Sequence, residues 1–180
     1  MAEPLYVYED NLIEWEGLQR ASTDAYVNDA TLTMTCYKQI ATDGAMTSGA
    51  ATLTCATSAP FVSGDAGRRI IVHGAGTGGS DLRTTISSFT SSSIVTLAAN
   101  AGATKTGGTV EMSLDNASGV SLTYVTGSDG DYQGVLDKAV PLVDGSTYIL
   151  EVIAADGSND GLRRETHEAQ YHGASSAEYP

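Results

Sequence analysis

Three stretches of this 180-residue chain carry residue types that could do chemistry. Gly74-Ala75-Gly76-Thr77-Gly78-Gly79 satisfies G-x-G-x-x-G directly after an apolar run, Ile70–His73. In a dinucleotide site such a loop opens a helix, because the pyrophosphate rests on the unpaired N–H groups of its first turn. Here the β-prone Thr84-Thr85-Ile86-Ser87-Ser88-Phe89 follows, so the run reads as a glycine-rich hairpin loop. Asp156-Gly157-Ser158-Asn159-Asp160-Gly161 has the alternating oxygen donors of a calcium loop. Loop position twelve, where an EF-hand needs Glu, is His167, and the stretch reads as a turn between strands. His167-Glu168-Ala169-Gln170-Tyr171-His172 resembles a zinc-protease motif with the second His one residue late. A spacing of five puts the two imidazoles on different helix faces, and on opposite faces of a strand.

Nucleophilic catalysis fares no better. The three His stand in no arrangement with Ser or Cys, and there is no G-x-S-x-G elbow. Carboxylates are plentiful but fall in turns and at strand ends, where solvated acids sit. Cys36 and Cys55 lie in alternating, strand-like patterns and read as buried free thiols rather than metal ligands. No catalytic residue, cofactor or metal ligand is therefore assigned.

The elements that would position any site are strands. Ala30-Thr31-Leu32-Thr33-Met34-Thr35-Cys36-Tyr37 alternates with period two, placing Ala30, Leu32, Met34 and Cys36 on one inward face. Val120–Tyr124 alternates likewise, and Ser128-Asp129-Gly130-Asp131 turns into Tyr132–Leu136 as a hairpin. After the turn at Asp144-Gly145, Tyr148, Leu150, Val152 and Ala154 point one way. Leu162–Tyr171 is polar and reads as an edge or exposed strand. Near the start, Leu5–Tyr8 and Leu12–Leu18 read as a hairpin pair. Nothing reads as a long helix.

Composition changes twice along the chain. Residues 47–110 are rich in Ala, Gly, Ser and Thr and hold Arg68, Arg69, Arg83 and Lys105 against Asp65 and Asp81, a balance of +2 that leaves −15 for the rest. One domain interrupted by another accounts for this, since insertion at a surface turn costs little. The expected organisation is residues 1–46 with 111–172 as one discontinuous β-domain, 47–110 as a small inserted β-barrel or sandwich, and 173–180 as an extended tail. The outer part has about seven short strands, the rhythm of an immunoglobulin-like antiparallel sandwich. The insert has strands at Ala51–Ala56, Arg69–His73, Leu82–Phe89 and Ser93–Leu97. Its core would rest on Leu53, Phe61, Ile70, Val72, Ile86, Val95 and Leu97.

The net charge of −13 argues against a nucleic-acid partner and against an anionic membrane surface. No apolar run approaches the roughly 20 residues of a membrane span, and the start lacks the basic and apolar regions of a signal peptide. More suggestive are the aromatics near the ends: Tyr6, Tyr8, Trp15, Tyr171 and Tyr179 are candidate interface residues. Tyr and Trp bury large area while keeping a polar tip.

A family resemblance rests on Ala30-Thr31-Leu32-Thr33, Gly119-Val120-Ser121-Leu122-Thr123-Tyr124-Val125, Gly130-Asp131-Tyr132-Gln133-Gly134-Val135-Leu136 and Ala154-Ala155-Asp156-Gly157. These turn-and-strand patterns resemble small immunoglobulin-like proteins of tailed-phage structural gene clusters, and more distantly the N-terminal sandwich of phage baseplate upper proteins. Ala51-Thr52-Leu53-Thr54, Asp65-Ala66-Gly67-Arg68 and Thr84-Thr85-Ile86 of the insert look like a β-domain recurrent in phage fibres. The resemblance implies a virion component; with no catalytic constellation and no signal peptide, the leading expectation is a non-enzymatic one, made in the host cytoplasm and present in several copies. It would decorate or reinforce the head or neck through contacts with other virion proteins such as capsid, portal or tail. The alternative is a tail, fibre or baseplate module touching the host surface or a glycan. That role wants exposed aromatics in the insert, which has only Phe61 and Phe89, both suited to a core.

Overall fold

A computed structural model describes residues 3–20, 23–157 and 159–171, without the side chains of residues 159 and 160. Among these residues the chain is all-β. The strands in order are β1 (Leu5–Tyr6), β2 (Asn11–Trp15), β3 (Thr31–Met46), β4 (Thr52–Cys55), β5 (Arg69–Val72), β6 (Leu82–Ser91), β7 (Ile94–Leu97), β8 (Lys105–Tyr124), β9 (Tyr132–Leu136), β10 (Thr147–Asp156) and β11 (Asn159–Gln170). Two single 3-10 turns, Ser63–Asp65 and Thr77–Gly79, complete the regular structure. Pairing joins the strands in one mixed sheet, β1–β11 being parallel. No helix among the described residues is long and apolar enough to cross a membrane.

The chain divides into two compact units, residues 1–36 with 114–180 and residues 37–113. The second unit thus runs from Tyr37 to Ser113, wider at both ends than the composition break at 47 and 110. The reason is physical: both boundaries fall inside continuous strands, β3 and β8, where burial runs unbroken from Met34 to Tyr37 and from Val110 to Leu114 instead of alternating. The tail, 173–180, lies outside the described residues.

In the first unit one group of strands follows the order β1-β11-β10-β3 and another β8-β9-β2. Both groups feed one core. Leu32, Met34 and Cys36 of β3 are fully buried, as their alternation requires, and Ala30 packs partly buried against them. Tyr148, Leu150, Val152 and Ala154 of β10 join them. Burying each large aliphatic contributes about 1.5–3 kcal/mol before chain entropy is counted. Tyr132 is buried with its hydroxyl donating to the Val27 carbonyl and accepting from the Ala30 N–H, each at 3.0 Å, which anchors the approach to β3.

The hairpin expected between Leu5–Tyr8 and Leu12–Leu18 does not form. β1 pairs with β11 and β2 pairs with β9. The Asn11 side chain explains the separation. Its Oδ1 accepts from the Tyr6 N–H at 2.6 Å and its amide donates to the Tyr6 carbonyl at 3.0 Å, taking both backbone groups a hairpin would use. Tyr8, at φ 64°, completes the reversal. β11 is a less open edge than its polarity implies, because β1 covers Ala169 and Gln170 and leaves His167 and Ala169 buried.

In the second unit the pairings run β3-β4-β7-β6-β5-β8, and a further pairing of β3 with β8 closes the ring. Every strand of the ring thus has a partner on both sides. Gly44 of β3 is where the ring tolerates no side chain: a Cβ there would lie 2.6 Å from Val110 Cγ2 and 2.9 Å from the Gly108 carbonyl. Leu53, Phe61, Ile70, Val72, Ile86, Val95 and Leu97 are all buried in one core, and Phe89 packs against it. The glycine-rich run from Gly74 to Gly79 connects β5 and β6, which pair antiparallel, so it is the loop of a hairpin.

Candidate functional site

Polar or aromatic side chains converge in both units. In the second unit His73, at the end of β5, lies between two carboxylates. Its Nδ1 is 2.9 Å from Asp81 Oδ1 and its Nε2 2.9 Å from Glu111 Oε1, with Arg83 3.8 Å from Asp81. Glu111 is buried on β8. The hairpin of β5 and β6 brings His73 opposite Asp81, and the β5–β8 pairing brings in Glu111. With both ring nitrogens engaged by carboxylates, the imidazole has none left to take a proton from a nucleophile. The cluster ties three strands of the ring together. Sequence reasoning missed it because its members are separated by 8 and 38 residues and match no motif.

Other polar residues are likewise committed to structure. Asp65 is buried, accepts from the Val62 N–H and pairs with Arg68 at 2.8 Å; Arg68 in turn donates to the Ser113 carbonyl. Asp156, in the turn weighed as a calcium loop, receives Arg20 in two hydrogen bonds of 2.6 and 3.0 Å, which hold its carboxyl below the ordinary value. The described residues contain no group of three or more His, Cys, Asp or Glu placed to hold a metal. Cys36 and Cys55 are free and buried. Burial pushes both thiols up to about 12, with Asp43 adding to the effect at Cys55.

In the first unit the chain ends come together. The Val7 N–H donates to the Gln170 carbonyl at 2.9 Å, extending the parallel β1–β11 contact by a residue. This places Tyr8 beside Tyr171, ring centroids 5.9 Å apart, with both rings largely in solvent at 70% and 57% exposure. The Tyr171 N–H is fixed by Asp144 at 2.9 Å, so the pair is carried by an anchored backbone. The neighbouring Tyr8 holds the Tyr171 phenol above its ordinary value. Tyr6 and Trp15 are half-buried, and Arg163 lies 5.7 Å over the Trp15 ring. Of the five aromatic candidates, then, two form an exposed pair, two line the unit with part of their surface, and Tyr179 lies outside the described residues. His172 does too.

Two further features were not visible in the sequence. Leu12 and Val135 are cross-strand partners on β2 and β9 and both are exposed. A cleft of roughly 790 Å³ opens between the β1–β2 segment and the β10–β11 hairpin, its lining including Tyr6 and Arg163. Among the described residues, seven of the eight exposed large hydrophobics (Tyr8, Leu12, Tyr26, Val135, Val143, Leu162 and Tyr171) belong to the first unit, and only Val62 to the second. By the same division the first unit carries a formal charge of −14 and the second +1. Neither a scan against protein-family models nor a search of curated proteins finds a match, so it is the geometry of this acidic, aromatic unit that must carry a functional reading.

Proposed function

We propose that this chain is a non-enzymatic structural protein of a tailed-phage virion, docked through its first unit and decorating or reinforcing the head or neck. The observation that carries the reading is the concentration of exposed apolar and aromatic side chains on that unit, with the Tyr8–Tyr171 pair on an anchored backbone. Exposed Tyr and Leu on a rigid β-scaffold suit protein–protein contact better than chemistry, since they offer area and a polar tip but no proton relay. An immunoglobulin-like sandwich is part of the proposal, supported by two strand groups around one core and by the sequence resemblance to phage structural proteins.

Assembly in the host cytoplasm and display in several copies on a symmetric particle belong to the same reading, modest single contacts then adding through avidity. A glycan- or receptor-binding fibre role has less support. It would draw on exposed aromatics in the second unit, where Val62 is the one exposed large hydrophobic among the described residues. The test is an electron-microscopy map of the particle with and without the gene for this chain. The expected difference is symmetric density on head or neck, contacting the shell through the face that bears Tyr8 and Tyr171. No difference anywhere on the particle, or density at the tip of a tail fibre, overturns the proposal.

A further inference from the structure

In the first unit two tyrosines far apart in sequence meet ring to ring in solvent. Tyr8 and Tyr171 are 70% and 57% exposed, with ring centroids 5.9 Å apart and planes inclined at 56°. The backbone brings them there. β1 pairs in parallel with β11, the Val7 N–H donates to the Gln170 carbonyl, and the Tyr171 N–H donates to Asp144 Oδ1. Tyr8 stands at φ 64°, a conformation uncommon outside glycine, so its placement is imposed by the segments around it. Tyr8 acts on the Tyr171 phenol through charge and through a side-chain hydrogen bond, which makes the hydroxyl ends of the two rings neighbours. The Cε carbons that flank the hydroxyls are drawn together with them. A second pair in the same unit, Tyr124 and Tyr132, is as close, with centroids 5.6 Å apart. Tyr132, however, is 1% exposed and its hydroxyl is held between the Val27 carbonyl and the Ala30 N–H. Proximity is common to both pairs, and access from solvent separates them.

We propose that Tyr8 and Tyr171 are a modification site, joined by a Cε–Cε bond into a dityrosine when a peroxide-dependent one-electron oxidant acts on the chain. Each phenol gives up one electron and one proton and becomes a phenoxyl radical. Its unpaired spin is shared with the Cε carbons, where the two radicals combine. The hydrogen on each bonded Cε then passes through water to the oxygen and restores the phenol. In sum, two tyrosines and one hydrogen peroxide give one dityrosine and two waters. The two electrons and two protons lost by the rings are those that reduce the peroxide. The fold supplies the encounter that two separate phenols would have to find by diffusion. Well-oriented groups on one molecule reach effective concentrations of about 10⁵ M and above. The new bond ties the segment after β1 to the end of β11 and restrains the unfolded chain, as a disulfide closing a long loop does. The inference does not rest on the virion reading, since the reaction belongs to the free chain, where both rings are open to solvent.

The test treats the full chain with a haem peroxidase and hydrogen peroxide and, in parallel, with a small light-driven oxidant, tris(bipyridyl)ruthenium with persulfate. The product is followed by dityrosine fluorescence, denaturing electrophoresis and mass spectrometry of proteolytic peptides. It is expected to migrate as a single chain, to be lighter by two hydrogen atoms, and to link the peptide bearing Tyr8 to that bearing Tyr171. Its yield is expected to be independent of protein concentration, as an intrachain reaction requires. Y8F and Y171F, each at an exposed position, are expected to lower the intrachain yield by about tenfold or more. Y26F, at a third exposed tyrosine, is expected to leave it within about twofold. In denaturing urea the Tyr8–Tyr171 link is expected to be lost, because the fold no longer holds the rings together. Dityrosine found only between chains, an undiminished intrachain yield in Y8F and Y171F, or a link formed equally well in urea overturns the proposal. So does absence of the bond with both oxidants.

Discussion

The two units solve the same problem of an all-β chain in opposite ways. The second unit pairs its strands in a ring, carries a formal charge of +1, and exposes one large hydrophobic among its described residues. The first unit leaves β2 at an end of the strand order, concentrates a charge of −14, and displays tyrosines and aliphatics in solvent. Even their polar clusters differ in kind. His73 is satisfied on both nitrogens, whereas His167 is satisfied on one. One unit meets its strand edges by internal pairing, and the other leaves an edge strand and exposed aromatics at its surface.

The comparison is most strongly tested where each core is cut. Leu53→Ala empties the ring's core and is expected to cost about 2–5 kcal/mol. One buried cysteine per unit provides separate reporters: C36S leaves Cys55 to report on the second unit and C55S leaves Cys36 to report on the first. With both thiols pushed up to about 12, labelling near pH 8 is expected only as each site opens. Leu53→Ala should bring Cys55 labelling to lower denaturant. A shift of the same size at Cys36 would show a single cooperative structure and dissolve the contrast.

Two smaller changes are expected to cost about 1–3 kcal/mol each, read from urea midpoints. Gly44→Ala forces a methyl against Val110 and the Gly108 carbonyl where β3 meets β8. Tyr132→Phe removes the hydroxyl that serves the Ala30 N–H and the Val27 carbonyl in the first unit.

The smallest effect is a pH dependence. Hydrogen bonds from Ser58, then from Thr57, hold the Asp43 carboxyl below its ordinary 3.8, and Arg20 does the same for Asp156. A lowered carboxyl pKa gives stability that is complete above the unfolded value and fades as pH falls through the folded one. Stability should therefore decline on acidification below about pH 4, and D43N and D156N should each flatten that decline in circular-dichroism melts. An unchanged acid limb in D43N would show that its three contacts contribute nothing.

What was legible in the sequence was whatever local alternation encodes. The inward face of β3 and of β10, and the second unit's core positions Leu53, Ile70, Val72, Ile86, Val95 and Leu97, lie on strands where side chains two residues apart point the same way, whereas Phe61 is buried from a loop. What stayed hidden depends on partners distant in sequence. β1 and β2 are two and five residues long, too short to announce that β11 and β9 are their neighbours. The unit boundaries lie within β3 and β8, two continuous strands that each belong to one unit at one end and to the other unit at the other. The cleft and the His73 cluster are assembled across strands, so no spacing records them. Tyr8 and Tyr171 were both recognised as aromatic candidates, but only the fold makes them a pair.

The central proposal is that the first unit docks this chain on a virion. Hydroxyl-radical footprinting of the chain on its purified particle, against the free chain, tests it most directly. Protection is expected at Tyr8, Leu12, Val135 or Tyr171, with Val62 reacting equally in both states. Protection confined to Val62 and its surroundings, or none at all, would contradict the account.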